Sequence, residues 1–288
     1  MIKKLDNVYT PAEHPGFLGT GHVARHVIEG DFRQSDPFIM LADDWLDKKT
    51  SEPVGGAHPH AGFETVTLVL EGELDAGDHK MVAGDFQLMT AGSGIVHAET
   101  IDKKQKMRIL QLWLTLPEKL RWTTPRVQDL SAANVPAKSE GNATFRVYSG
   151  TFAKVSSPIL NHVPLLLVDI KLQPGAVLNE PVPAGDTAFM YVIDGSVSVG
   201  EKDQLLRRDD VGWLSKSDDT LCDDLQLTAG KDGAHVILYS AEPQGDYIVS
   251  HGPFIGNTDD DIRRLYKEFR EGKMKHVSTL PKEHVLVW

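Results

Sequence analysis

The chain has 288 residues, 41% of them hydrophobic and 25% charged, with a formal net charge of −11. That is the composition of a folded globular protein with room for about two domains. The acidic balance, with no long basic run, argues against direct binding to nucleic acid or to an anionic membrane surface, because both draw on clustered Lys and Arg.

Short β-prone segments bounded by Gly and Pro fill most of the sequence, which predicts an all-β protein built as a sandwich or barrel. Early in the chain, His22 and His26 are four apart, but Val23, Val27 and Ile28 around them read as strand, so a structural or exposed role is expected. His58-Pro59-His60 follows Gly55-Gly56 and precedes a β-rich run at 66–70. Residues two apart in an extended strand point to the same side, so His58 and His60 can aim at one point. His97-Ala98-Glu99, after the turn residues 91–94, repeats the device. Brought together, His58, His60, His97 and Glu99 offer three imidazoles and a carboxylate, a set that suits a redox-capable divalent metal such as iron, copper or nickel. Residues 109–116 then alternate Leu110, Leu112, Leu114 and Leu116 against Gln111, Trp113 and Thr115, a strand with two unlike faces.

The segment 60–74 can be laid on 183–197, with Ala-Gly near the start of each and an acid followed by Gly at Glu71-Gly72 and Asp194-Gly195. The chain therefore reads as one barrel unit written twice. The expected boundaries are a metal-binding domain over 1–130, a small polar linker over 131–142 and a second barrel over 143–288. In the second copy Pro181 and Pro183 stand opposite His58 and His60, with Cys222 near His97 and Asp224 near Glu99, so the second barrel is expected to lack the site. Near the end, Thr258 can cap a helix over about 258–272, with Asp259, Asp260 and Asp261 in its first turn and Gly272 past its end. Its stripe of Ile262, Leu265, Tyr266 and Phe269 is expected to cover a sheet face or barrel end.

The one cysteine, Cys222, allows no internal disulfide and fits a reducing compartment. Residues 1–6 lack the apolar run of a secretory signal, and the apolar stretch at 163–168 is too short to span a bilayer, so a cytoplasmic location is expected.

The strings at 58–74 (HPHAGFETVTLVLEGEL), 84–99 (GDFQLMTAGSGIVHAE), 111–117 (QLWLTLP), 36–38 (DPF) and 251–258 (HGPFIGNT) resemble the pirin family of two-cupin proteins, and they spread over nearly the whole length. The resemblance implies a bicupin, two tandem cupin β-barrels, with His58, His60, His97 and Glu99 binding a metal. The metal implied is most often Fe(II), with Cu, Ni, Mn or Zn as other candidates. It implies a quercetin 2,3-dioxygenase activity on a small aromatic flavonol, with Glu99 also taking the substrate's hydroxyl proton, as a general base does. The other reading it implies is an iron-containing, redox-sensing regulator acting through a protein partner. Many cupins take their carboxylate from the first segment, which makes Glu64 the rival of Glu99; its spacing from His60 is one residue short, leaving it a strand or supporting residue. Phe63, Met89 and Trp113 are candidates for an apolar wall. Ala61 stands where members often carry a basic residue, a departure that bears on the substrate.

Overall fold

The alternating segment near 109–116 is the middle of an eight-stranded sheet. Strand Gln105–Thr115 pairs antiparallel with Phe38–Lys48 on one side and Phe63–Glu71 on the other. Leu110, Leu112 and Leu114 are fully buried, while Gln111 and Trp113 turn into a cavity. The structure, a computed structural model, describes residues 1–28, 30–76, 79–200, 204–217 and 221–288. From edge to edge this sheet runs Glu13–Pro15, His22–His26, Phe38–Lys48, Gln105–Thr115, Phe63–Glu71, Phe86–Thr90, Arg126–Leu130 and Val285–Val287. A five-stranded sheet completes the barrel. In it Ile95–Ile101 pairs with Val54–His60, Glu73–Asp75 and Lys275–His276, and Lys80–Val82 lies beyond Glu73–Asp75. Leu46, Val69, Leu74, Met81, Ile101 and Met107 fill one part of its interior.

The second barrel is a nine-stranded sheet around a core that includes Phe145, Val168, Met190, Leu227 and Val236. Its long strand Cys222–Ala241 pairs with Val177–Pro183 along its first part and with Leu165–Leu172 along its last. Between the two pairings lies Gly233, whose φ is +83° and where an added Cβ would sit only 2.7 Å from the Leu172 carbonyl oxygen. The repeat read in the sequence is visible in Gly72 and Gly195. Both have positive φ, +79° and +72°, and both pass a backbone carbonyl too closely for any side chain.

The compact units divide the chain differently from the expected 1–130, 131–142 and 143–288. Met1–Pro11 joins Val135–Pro243, and Ala12–Asn134 joins Gln244–Trp288. The reason is strand pairing between distant stretches. Leu5–Tyr9 pairs with Val211–Leu214, and Val285–Val287 runs parallel to Arg126–Leu130. The expected linker contains a strand, Ala137–Glu140, paired with Ala143–Ser149. The helix expected with the second barrel, Asp259–Arg270, belongs to the unit of the first. It forms where its sequence predicts. Thr258 Oγ1 accepts from Asp261 N at 3.2 Å in a full capping box, and Gly272 takes φ +67° beyond the end. Ile262 and Leu265 pack on Phe254 and on Ala61, the residue after His60. No described helix is long and apolar enough to cross a membrane.

Candidate metal centre

Strand Val54–His60 lies antiparallel to Ile95–Ile101, in a register that sets His58 opposite His97 and Gly56 opposite Glu99. Side chains two apart share a face, so His58, His60, His97 and Glu99 all turn one way. The ring centroids of His58 and His97 are 4.3 Å apart, those of His58 and His60 4.9 Å, and those of His60 and His97 5.0 Å. One ligand nitrogen from each ring lies within 4.8 Å of those of the other two.

The hydrogen bonds set the tautomer of His58. Its Nδ1 lies 2.9 Å from the Gly56 carbonyl, which can only accept, so Nδ1 carries the proton and Nε2 presents a lone pair. That Nε2 lies 2.8 Å from His97 Nε2, and two imidazole nitrogens at this distance need a proton or a cation between them. His60 is 5% exposed, and its buried Nδ1 has no hydrogen-bond partner among the described residues. Burial pushes the His60 pKa down to about 3, with nearby His58 adding to the fall. His97 is held well below the ordinary range, again by burial first and by His60 and His58 next. Neutral imidazole is the form that ligates. The donor set therefore fits a divalent metal.

Glu99 lies in the wall of the same cavity. Burial pushes its carboxyl above the usual range; His58 and the Gln111 amide oppose the rise and Asp44 adds to it. Among the described residues the ligand cluster holds the three histidines alone, so Glu99 and its rival Glu64 both stay outside it. Fully buried on Phe63–Glu71, Glu64 accepts from Thr90 Oγ1 at 2.6 Å through Oε1, and burial pushes its pKa up to about 7. Of the expected apolar wall, Trp113 lines the cavity. Phe63 lies against the Trp113 ring, tilted by 36° with centroids 4.4 Å apart, and Met89 sits in a core cluster with Ile95 and Val127.

The cavity has a volume of about 1070 Å³ and is walled largely by apolar side chains, among them Met40, Leu74, Met107, Ile109 and Trp113. His22, expected to be structural or exposed, lines it too, buried at 3% exposure beside Asp44. His26, expected to be structural or exposed like His22, lines it as well, as do Asp44 and Gln111, to which sequence reading gave no role in the site. The signal that could have found them was the period of two, which places His22 and His26 on one face of a strand and Gln111 beside Trp113.

In the second barrel the chain departs from the expected register. Pro181 pairs with Asp224, where His58 pairs with His97, so Asp224 rather than Cys222 occupies the position of His97. Proline offers no ligand atom, and the described His, Cys, Asp and Glu side chains there form no cluster that could hold an ion.

The Pirin family profile matches residues 21–114, and that of the Pirin C-terminal cupin domain matches residues 167–275. The chain belongs to the pirin family. It is 34% identical to the Pirin of Homo sapiens over 260 residues, 87% of each chain. A quercetin 2,3-dioxygenase of Acinetobacter baumannii superposes with a TM-score of 0.81 at 27% identity, covering 95% of this chain and 98% of that one. A bacterial pirin of Escherichia coli, in complex with nickel(II), shares the fold with a TM-score of 0.61 at 17% identity, over 82% of this chain and 100% of its own.

Proposed function

We propose that this pirin is a metal-dependent dioxygenase of the quercetin 2,3-dioxygenase type, opening a flavonol ring, with His58, His60, His97 and Glu99 as the ligands of iron(II). The observation that supports it is a cluster of three imidazoles, two of which, His58 and His60, line a cavity of about 1070 Å³, room enough for a drug-sized aromatic. The likeness to the Acinetobacter baumannii quercetin 2,3-dioxygenase points the same way.

When bound, a redox-active divalent ion supplies a Lewis acid for the flavonol oxygens and a route for electrons to dioxygen. The chain's own residues do the rest. The Gly56 carbonyl fixes the ring of His58, and the Gln111 amide partly offsets the cost of charging the buried Glu99. Glu99 takes the proton of the flavonol 3-hydroxyl at a carboxylate oxygen. Met40, Ile109 and Trp113 pack the aromatic planes and keep water from them.

The test is anaerobic loading with iron(II), followed by quercetin and air, with flavonol absorbance and oxygen uptake read together. One dioxygen consumed per flavonol lost is the expected result. Quercetin left untouched by the iron, copper, manganese and nickel forms alike overturns the enzyme reading and leaves the redox-sensing regulator as its replacement.

A further inference from the structure

A second polar device faces the same cavity, built from residues that contribute nothing to the imidazole cluster. Strand His22–His26 pairs with Phe38–Lys48, setting Ala24 opposite Asp44. The Leu18 backbone N–H donates to His22 Nδ1 at 3.0 Å, so the neutral ring carries its proton on Nε2. That proton is given to Asp44 Oδ1 at 2.9 Å. The ring is seated by the backbone, because a Cβ on Gly16 would lie 2.1 Å from His22 Nδ1. Phe17 meets the ring edge-on with centroids 5.3 Å apart. Both nitrogens of His22 are thus committed, and its effect is to orient one carboxylate.

Asp44 is 8% exposed and lines the cavity. Oδ1 is taken by His22, and Oδ2 receives no hydrogen bond from the described residues. An ionised carboxylate only accepts, so what it seeks from a ligand is a hydroxyl or N–H donor. Gln111, another polar side chain of the wall, is engaged elsewhere, its amide donating to Thr67 Oγ1 at 3.0 Å. An aromatic held at the metal by one hydroxyl would leave Asp44 desolvated and unpaired unless it carried another hydroxyl to reach it, and such an omission is costly.

We propose that Asp44, positioned by His22, is the specificity-determining acceptor of the cavity, bonding a second hydroxyl of the ligand and selecting polyhydroxylated over singly hydroxylated flavonols. The proposal rests on the flavonol reading above and adds to it a residue and a discrimination.

The experiment compares quercetin with 3-hydroxyflavone, which keeps the metal-facing oxygens and lacks every other hydroxyl. Binding to the iron-loaded protein without oxygen is read by quenching of tryptophan fluorescence. Asp44→Asn keeps the shape and the bond from His22 but turns an N–H toward the ligand. It is expected to weaken quercetin about tenfold and 3-hydroxyflavone less than twofold. His22→Phe is expected to show the same ligand-selective loss. His22→Gln, which can accept from Leu18 and donate to Asp44, is expected to restore most of it. Equal weakening of both flavonols, or quercetin binding unchanged in Asp44→Asn, overturns the assignment while leaving the flavonol reading intact. If the unmutated protein binds neither compound, the flavonol reading fails and takes this inference with it.

Discussion

Asp43 and Asp44 are adjacent in sequence and do opposite work across strand Phe38–Lys48. Asp44 lines the cavity, whereas Asp43 is fully buried against Arg108, accepting from Nε at 2.9 Å and from Nη2 at 2.8 Å. The guanidinium also lies over the ring of Trp45, 4.0 Å from its centroid. A forked pair of this kind is worth little against a well-packed apolar substitute, but losing one partner strands the other charge. Asp43→Ala is therefore expected to lower stability by about 3–5 kcal/mol, with little dependence on salt. Urea midpoints at low and high salt check it, and a loss near zero would mean the guanidinium finds water or another acceptor. The same variant should leave the preference between quercetin and 3-hydroxyflavone unchanged.

His97 and His162 differ in the opposite way, having the same chemistry in different places. His97 joins the three-imidazole cluster, and His162 lies in the unit that holds the second barrel. Losing even a supporting partner of a ligand costs about 10–100-fold in metal affinity. His97→Ala is accordingly expected to bring bound metal below about a tenth of the wild-type content, while His162→Ala leaves it unchanged. Elemental analysis decides, and equal content in the two variants would contradict the ligand assignment.

A third prediction concerns a residue with no ligand atom. Gly55 has φ +84°, and a Cβ placed there would sit 2.0 Å from the carbonyl oxygen of Glu99. Gly55→Ala must push apart the two strands that hold His58 against His97. Gly175 is the control, with φ +69° and nothing within 4 Å of its added Cβ. Backbone strain alone costs of order 1 kcal/mol, so both variants should show that much, and Gly55→Ala at least about 2 kcal/mol more. Only Gly55→Ala should also lose metal. Thermal unfolding with and without added metal reads both effects.

These cases show which parts of the fold and site were legible in the sequence. The period of two sets His58 and His60 on one face, because strand geometry fixes that relation locally, and the antiparallel pairing of the two strands adds His97 to the cluster, while Glu99 stays outside it. The helix over Asp259–Arg270 was equally legible, since cap, acidic first turn and apolar stripe are all local signals. Its placement was not. Which barrel it covers depends on the parallel pairing of Lys275–His276 and Val285–Val287 with strands far earlier in the chain, and no periodicity records that. Asp44 escaped for a related reason. Beside Asp43 it reads as part of a solvated acidic pair, and only the turn around Gly16, which brings Leu18 N and the ring of His22 together, gives it a separate role. The second barrel's register slipped because Pro181 and Asp224 share no side-chain chemistry with His58 and His97 to align on.

Glu64 supplies the pH prediction. Burial holds its carboxyl near pKa 7 in the folded chain, against the 4.5 of an unperturbed glutamate, with the Thr90 hydroxyl and the charge of Arg126 only partly offsetting the rise. Between those two values the folded state binds more protons than the unfolded one. Stability attributable to this group therefore falls as pH rises from about 4.5 to about 7, and the full cost persists above. The size is roughly 3 kcal/mol. Glu64→Gln keeps an oxygen to accept from Thr90 and does not titrate. Its advantage over the wild type is expected to be small at pH 5 and to approach roughly 3 kcal/mol at pH 8. The quantity to measure is the difference in unfolding free energy between the two proteins at each pH, which cancels every other titrating group they share. A difference that stays level from pH 5 to pH 8 would show that this buried carboxyl does not titrate in that window. Oε2, which has no partner among the described residues, would then have to be stabilised as an anion by something other than the Thr90 hydroxyl.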